Sequence, residues 1–466
     1  MWIVTIKLRL SQIPFHLNNN RYYDLSSMSK VVLISSDCVN ESMAGPAIRY
    51  WEFAKALSAT HEVLLSVPNQ TKLTHERFKV SSRLENNLAE ELKGATAIIT
   101  QMLWPELCFF CKRQGIKIII DAYCPYNLES LELSQKGLYQ FAVKSIQFSF
   151  KMADFIICAS EKQRDLWLGS LMNLQPLDKF HKKDPTLRNL IDVVPFGLSA
   201  EPLTLKQGKG PHEIFHLKDS DKIVLWGGSI SDWFDPCTLI QAFSQIASKR
   251  SDIKLVFMGV TLPNPSLPKM KKAQEAIDLA KSLNLLDHTV FFNYGWLPYE
   301  ERQHFLHEAC IGVSTHSKHI ETDFSFRTRM LDYIWAGLPI ISTEGDTFAQ
   351  LISQKELGVV VPYYDSEFLA ESIMQIVGNQ AIAEKYKTNI ERIKSEFHWN
   401  QVIKPINTIL ESPEFKIRST PRWLFLTNIK YKIAIILLQI SAFYKEGGLW
   451  LVLKKICQKL FKKNAR

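Results

Sequence analysis

The chain predicts an α/β architecture: two doubly wound parallel-sheet domains in tandem. Three observations carry this. At 466 residues it is too long for one ordinary core, so two domains of about 150–200 residues are expected. Short runs that are apolar throughout recur along it, separated by helical stretches; such runs are strands covered on both faces, as in a parallel sheet. One polar, Gly- and Lys-containing stretch, Glu201 to Lys222, divides the pattern and reads as the linker.

Val31 to Ser35 is the first such run. It leads through a polar loop, Ser36 to Met43, and Ala44-Gly45-Pro46 to a helix with apolar positions at Ile48, Trp51 and Leu57. Strand, glycine-containing turn and helix open a doubly wound, Rossmann-like fold, although no G-x-G-x-x-G fingerprint is present. Strands follow at Val63 to Val67, Ala97 to Thr100, Ile116 to Ile120, Phe155 to Ala159 and Val193 to Pro195. After the linker they recur at Ile223 to Trp226, Leu255 to Met258, Val290 to Phe292, Ile311 to Ser314, Pro339 to Ser342 and Val359 to Val361. Asp235-Pro236 starts a helix, with Asp as N-cap and Pro where no N–H is needed. The expected division is a leader at 1–30, a first domain at 31–205, a second at 215–395, a closing helix at 396–410 and a tail at 411–466.

With 46% hydrophobic and 22% charged residues, the composition is that of a globular protein and excludes a disordered chain. The net charge of +9 is localised: from Glu411 onward twelve Lys or Arg face three acids, a surplus equal to the whole. The body is therefore neutral, and with no reading motif in it, nucleic acid is not an expected partner. Trp423 to Tyr444 is apolar but broken by Lys430 and Lys432, and its uninterrupted part, Ile433 to Tyr444, is too short to span a bilayer. Beyond Gly447-Gly448, Leu449, Val452, Leu453, Ile456 and Leu460 share one helical face, with Lys454, Lys455, Lys459 and Lys462 opposite. Residues 423–466 are expected to anchor on an anionic membrane surface, at the inner, cytoplasmic face. The alternative is that both segments pack on the body. Eight scattered cysteines, with a lone C-x-x-C at Cys108 and Cys111, read as buried thiols of a reducing compartment. The first 27 residues carry no uninterrupted apolar core of signal-peptide length and are expected to be a leader or an extended start, with Met28 a second possible start.

Chemistry concentrates in His316 to Ser342. A strand, a loop with Glu321 and Asp323, then Arg327 and Arg329, lead into a helix carrying Asp332 that Gly337 and Pro339 stop. A helix N-terminus beside arginines suits phosphate, and a carboxylate one turn in suits a neutral hydroxyl. That combination reads as a nucleotide-sugar site. Trp226-Gly227-Gly228-Ser229 ends the second domain's first strand, where glycines let backbone N–H groups approach a phosphate. Asp121 and Tyr123 lie at the carboxyl edge of the first sheet, where ligands of open α/β sheets bind, and the following CPYNLES segment is placed on the acceptor side.

The run LDYIWAGLPII resembles the end of the donor signature of family 4 retaining glycosyltransferases, which have the GT-B fold, and GG-x-I-x-x-W-F-D-P resembles a subgroup of them. Asp332 takes the place of the signature's second Glu, while Phe324 stands where the first would be, leaving Glu321 to serve if the loop is re-registered. The resemblance spans Val31 to Leu410 and implies two domains facing each other across a cleft, the second holding the donor. It implies donor contacts from Gly45, Gly228, Ser229, Ser325, Arg327, Arg329 and Asp332, with the two arginines neutralising the pyrophosphate in place of bases missing from the glycine loop. Asp121 and Glu321 are the expected catalytic positions, and Arg49 and Tyr123 lie on the acceptor side. The implied activity is transfer of a sugar, with retention, from a nucleotide-sugar to a glycan or lipid-linked acceptor in surface polysaccharide or glycolipid synthesis. It needs no cofactor and no metal, and His316, His319 and Glu321 are not expected to form a metal trio. Two other classes stay open: a GT-B nucleotide-sugar 2-epimerase, and a non-catalytic scaffold, which the absent first Glu favours.

Overall fold

In the computed structural model the described residues are 29–412 except 134–136, 206–207, 261–262 and 264–269, together with Ile417 and Leu424. The expected leader before Ser29 and, apart from Leu424, the expected membrane segment 423–466 lie outside them. Among the described residues no helix is long and apolar enough to cross a membrane.

Two parallel sheets form the frame. The first contains β1 (Lys30–Ile34), β2 (Glu62–Val67), β3 (Lys79–Ser82), β4 (Ala97–Thr100), β5 (Lys117–Asp121), β6 (Phe155–Cys158) and β7 (Ile191–Val193), in the order 3-2-1-4-5-6-7. The second contains β8 (Lys222–Trp226), β9 (Ile253–Phe257), β10 (Val290–Phe292), β11 (Ala309–Ser314), β12 (Ile340–Thr343) and β13 (Gly358–Val361), in the order 10-9-8-11-12-13. The strand order reverses between β1 and β4 and between β8 and β11, so each sheet has a crevice at that switch point. Past the opening lysines Lys30 and Lys222, the central strands are buried, as their unbroken apolar runs require. Sequence reading missed β3: its KVSS is short and polar, the composition that blunts an edge strand.

The linker is docked on the second domain. His212 Nδ1 meets Glu308 at 2.7 Å, and the Trp335 indole N–H donates to the Glu201 carbonyl at 2.8 Å. After the Gln380–Ile393 helix the chain returns to the first domain. Leu198 bridges to His398, and the Trp399 ring lies 5.7 Å from Phe53 and 5.8 Å from Phe196. Gly197 makes room for that ring, since a Cβ there would sit 2.6 Å from it. One apolar cluster therefore runs through both domains and the Trp399–Val402 and Lys404–Glu411 helices. Leu424, the one described residue of the tail's apolar segment, is fully buried in a first-domain cluster with Ile116 and Phe150.

Candidate active site

The carboxyl ends of β1, β4 and β5 face that of β8 across a cavity of about 410 Å³. The cavity therefore sits at the switch points of both sheets, where open α/β folds bind ligands.

On the second-domain side, Gly228 turns the chain after β8 with φ +81°, a conformation that glycine adopts without strain. The loop is held from below: Gly227 N–H donates to the Tyr333 hydroxyl at 2.7 Å, which is itself 2.9 Å from the Val313 carbonyl. Gly312 permits this, because a Cβ there would lie 2.3 Å from the Tyr333 ring. The Gly227 N–H is thus already used, and the open part of the loop is Gly228-Ser229. Arg329, at the start of the Arg329–Ala336 helix, reaches the same loop and donates to the Ser229 carbonyl at 2.8 Å. Its guanidinium lies between Trp226 (4.5 Å) and Phe234 (4.1 Å), and Nη1 is buried without a hydrogen-bond partner. Burial pulls its pKa down to about 10, so it stays cationic at neutral pH. A buried, half-satisfied cation on the cavity wall calls for an anion.

Arg327 is arranged differently. Both its terminal nitrogens bind Glu321, at 2.9 and 2.6 Å, and Glu321 is 1% exposed. Glu321 Oε2 also lies 3.8 Å from His319, so its carboxylate is committed. The pair fixes the loop that carries Ser325, whose hydroxyl donates to the Thr322 carbonyl at 3.1 Å. Asp346, buried beside Arg327, caps the Thr347–Lys355 helix through Ala349 N–H, and burial pushes its pKa up to about 6. His316 and His319 are structural. His316 Nε2 reaches the Glu344 carbonyl and His319 Nε2 the Trp233 carbonyl, each at 3.1 Å. Burial drives the His316 pKa down to about 3, so it is a neutral imidazole. Asp332 lies on the cavity wall, accepting from Arg302 at 3.2 Å; Arg302 stacks over Tyr299 at 3.7 Å.

On the first-domain side, two expectations are corrected. Asp121 is expected at a catalytic position and Arg49 on the acceptor side. Instead they form a sealed bidentate pair, at 2.8 and 2.9 Å, with neither side chain exposed. Arg49 also donates to the Pro195 and Val194 carbonyls, and Phe53 and Tyr123 pack over it. The pair ties the Gly45–Leu57 helix to β5 and the segment after β7. Tyr123 does reach the cavity wall. Gly45 sits at the domain boundary, 3.7 Å from Thr328 measured from the Cβ it lacks.

Gln163, Trp296 and Tyr299 escaped the sequence reading, and Glu129 was placed only as part of the acceptor-side CPYNLES segment. Glu129, in the Tyr126–Glu132 helix, lines the cavity; its Oε1 accepts from the Cys124 thiol at 3.1 Å. Burial first, then the charge of Glu321, raises its pKa to about 7. Gln163 bridges the domains, donating to Tyr123 O at 2.8 Å and Phe324 O at 2.9 Å. The Trp296 indole N–H donates to Met43 O and the Tyr299 N–H to Glu41 O, closing the other rim. The position of Glu129, one turn into the helix after a carboxyl-edge strand end, was the signal available for it.

Comparison with known proteins accords with this geometry. Residues 212–393 match the family described as Glycosyl transferases group 1. The described body superposes on a sucrose-phosphate synthase from Thermosynechococcus elongatus with a TM-score of 0.59 and 17% identity, over 82% of this chain and 98% of that one. Anabaena HepE, in a complex with UDP-glucose, gives a TM-score of 0.57 and 13% identity, over 82% and 99%. WaaG, a glycosyltransferase involved in lipopolysaccharide biosynthesis, gives 0.53 and 16%, over 82% and 100%. In sequence, 88 residues are 25% identical to a phosphatidyl-myo-inositol mannosyltransferase of Mycobacterium leprae. That match spans 19% of this chain and 24% of the relative's length. The chain has the two-domain GT-B fold, and residues 212–393, most of its second domain, match the model of the glycosyl transferases group 1 family.

Proposed function

We propose that this protein transfers a sugar from a nucleotide-sugar to a hydroxyl acceptor, with retention of anomeric configuration. The observation that carries the reading is Arg329, a buried guanidinium with an unpartnered Nη1 beside Gly228-Ser229 and a helix N-terminus. That constellation suits the donor's pyrophosphate. Arg327, held by Glu321, contributes positive charge from behind the loop rather than a free fork. Asp332, facing the cavity beside Arg302, suits a ribose hydroxyl. Asp121 and Glu321 act as positioning acids: each fixes an arginine and, through it, one wall of the cleft.

The acceptor hydroxyl enters from the first-domain side past Tyr123 and attacks the anomeric carbon on the face the phosphate leaves. The C–O bond to phosphate breaks, the new glycosidic C–O bond forms, and the acceptor proton passes to the departing phosphate oxygen. No protein nucleophile and no metal takes part. The enzyme's contribution is alignment of the two substrates and stabilisation of the developing phosphate charge. The acceptor is a glycan or lipid-linked sugar, and the basic segment that follows Leu424, itself packed on the first domain, holds the enzyme on an anionic, cytoplasmic membrane face. The complex of HepE with UDP-glucose and the involvement of WaaG in lipopolysaccharide biosynthesis support this reading.

The test is incubation of the enzyme and a labelled nucleotide-sugar panel with membrane lipid and glycan extracts. Label entering either pool with the donor's anomeric configuration supports the proposal. Release of an epimerised sugar without acceptor contradicts it.

A further inference from the structure

A nucleotide-sugar brings two chemistries into the cleft: an anionic pyrophosphate and a neutral polyol. The Arg329 and Gly228 end suits the first. The polyol requires hydrogen-bond acceptors, and carboxylates are the strongest available. Of the acids lining the cavity, Asp121 is closed by Arg49 and Glu321 by Arg327. Asp332 gives one oxygen to Arg302 and is assigned above to the ribose, and Asp37 accepts from the Cys38 N–H of its own loop. Glu129 differs. Among the described residues no ion pair holds it, and the contact at its Oε1 is the Cys124 thiol, a weak donor.

Its location is specific. The Tyr126–Glu132 helix belongs to the first domain but packs against the Ile320–Phe324 helix of the second. There Glu129 lies within the field of both Glu321 and Arg327. The loop it faces presents Ser325 and Arg327 to the cavity, while Phe324 does not line it. The second-domain wall at this point therefore offers no acidic side chain with an uncommitted oxygen.

On the reading that the cleft holds a nucleotide-sugar, we propose that Glu129 supplies the missing acceptor from the opposite domain, taking a hydrogen bond from a hydroxyl of the donor's sugar. The sugar is then gripped only when the two domains are together, which couples donor recognition to the interface that Gln163 and Trp296 hold. The place of Glu129 against the donor loop assigns it to the donor's sugar rather than to the acceptor.

The test is calorimetric titration of the full chain with UDP-glucose, GDP-mannose and ADP-glucose, each beside the matching nucleoside diphosphate. Wild type, Glu129→Ala and Glu129→Asp are compared. For the donor that wild type binds, Glu129→Ala should lose about ten- to a hundredfold in affinity for the nucleotide-sugar, the range of a charged hydrogen bond. It should bind the diphosphate as wild type does, with Glu129→Asp in between. Equal weakening of both ligands marks a structural role and overturns the assignment, as does unchanged sugar binding. Wild type that binds neither class of ligand removes the functional reading itself, and this inference with it.

Discussion

At the scale of single residues, the cleft sorts its charges by whether their partners are already present. Arg49–Asp121 is complete, and Arg327 spends both terminal nitrogens on Glu321, leaving its Nε 4.0 Å from Asp346; Arg329 keeps a terminal nitrogen open beside the glycine loop, and that asymmetry separates framework from binding surface. Removing one member of a sealed pair strands the other without water. Asp121→Asn should therefore cost about 3–5 kcal/mol, read as a lowered denaturant midpoint. Glu129 makes a pH prediction. Its folded pKa of about 7 lies above the ordinary 4.5, so the folded state holds a proton that the unfolded chain has released. Stability from this group is present below pH 4.5 and is lost as pH rises through 7. Burial is the main cause, Glu321 adds to it, and Arg327 and the Cys124 thiol oppose it. Glu129→Gln should thus melt progressively higher than wild type between pH 5 and pH 8. A constant difference across that range would contradict the assignment. The sequence marks Arg329, Arg327 and Glu321 as site residues from their spacing. It does not show that Arg327 and Glu321 satisfy each other, because pairing depends on how one helical turn folds the loop back.

At the scale of elements, the glycine loop after β8 is shaped by residues far away in sequence. Tyr333, from the Arg329–Ala336 helix, passes over Gly312 of β11 to reach the Gly227 N–H. Gly312→Ala would push its Cβ into the tyrosine ring and should destabilise the fold by about 1–3 kcal/mol. Tyr333→Phe keeps the ring and removes the hydroxyl that Gly227 uses; it should cost about 1–3 kcal/mol and weaken nucleotide binding. Thermal melts with and without ligand separate the two effects. Twelve of the thirteen strands are legible as apolar runs, because both faces of a central strand must be apolar. The strand that escapes, β3, is an edge that buries serines instead of apolar side chains, Ser81 donating to Glu91. The Gly45 turn was legible, but its approach to Thr328 was not, since that distance is set by how the domains meet.

At the scale of the whole molecule, cross-domain contacts close the cleft, among them Gln163 in the middle, Lys162 donating to the Gly345 carbonyl, Trp296 and Tyr299 at one rim, and the returning Trp399 segment behind. Gln163→Ala strands the Phe324 and Tyr123 carbonyls and should loosen this closure. Faster amide exchange confined to the domain boundary, with the two sheets unchanged, is the expected result. The tandem architecture was readable from the strand pattern and the polar linker. The cross-domain bonds were not, for they join backbone carbonyls whose positions no residue type announces. The central claim is that a nucleotide-sugar lies in this cleft with its pyrophosphate on Arg329. Its most direct test is the melting temperature of wild type and Arg329→Ala across UDP-, GDP- and ADP-sugars. Ligand at about a hundred times its dissociation constant should add roughly 2.7 kcal/mol to wild type. The account predicts that shift for one nucleotide class and its loss in Arg329→Ala. No shift with any of them, or one that survives Arg329→Ala, would contradict it.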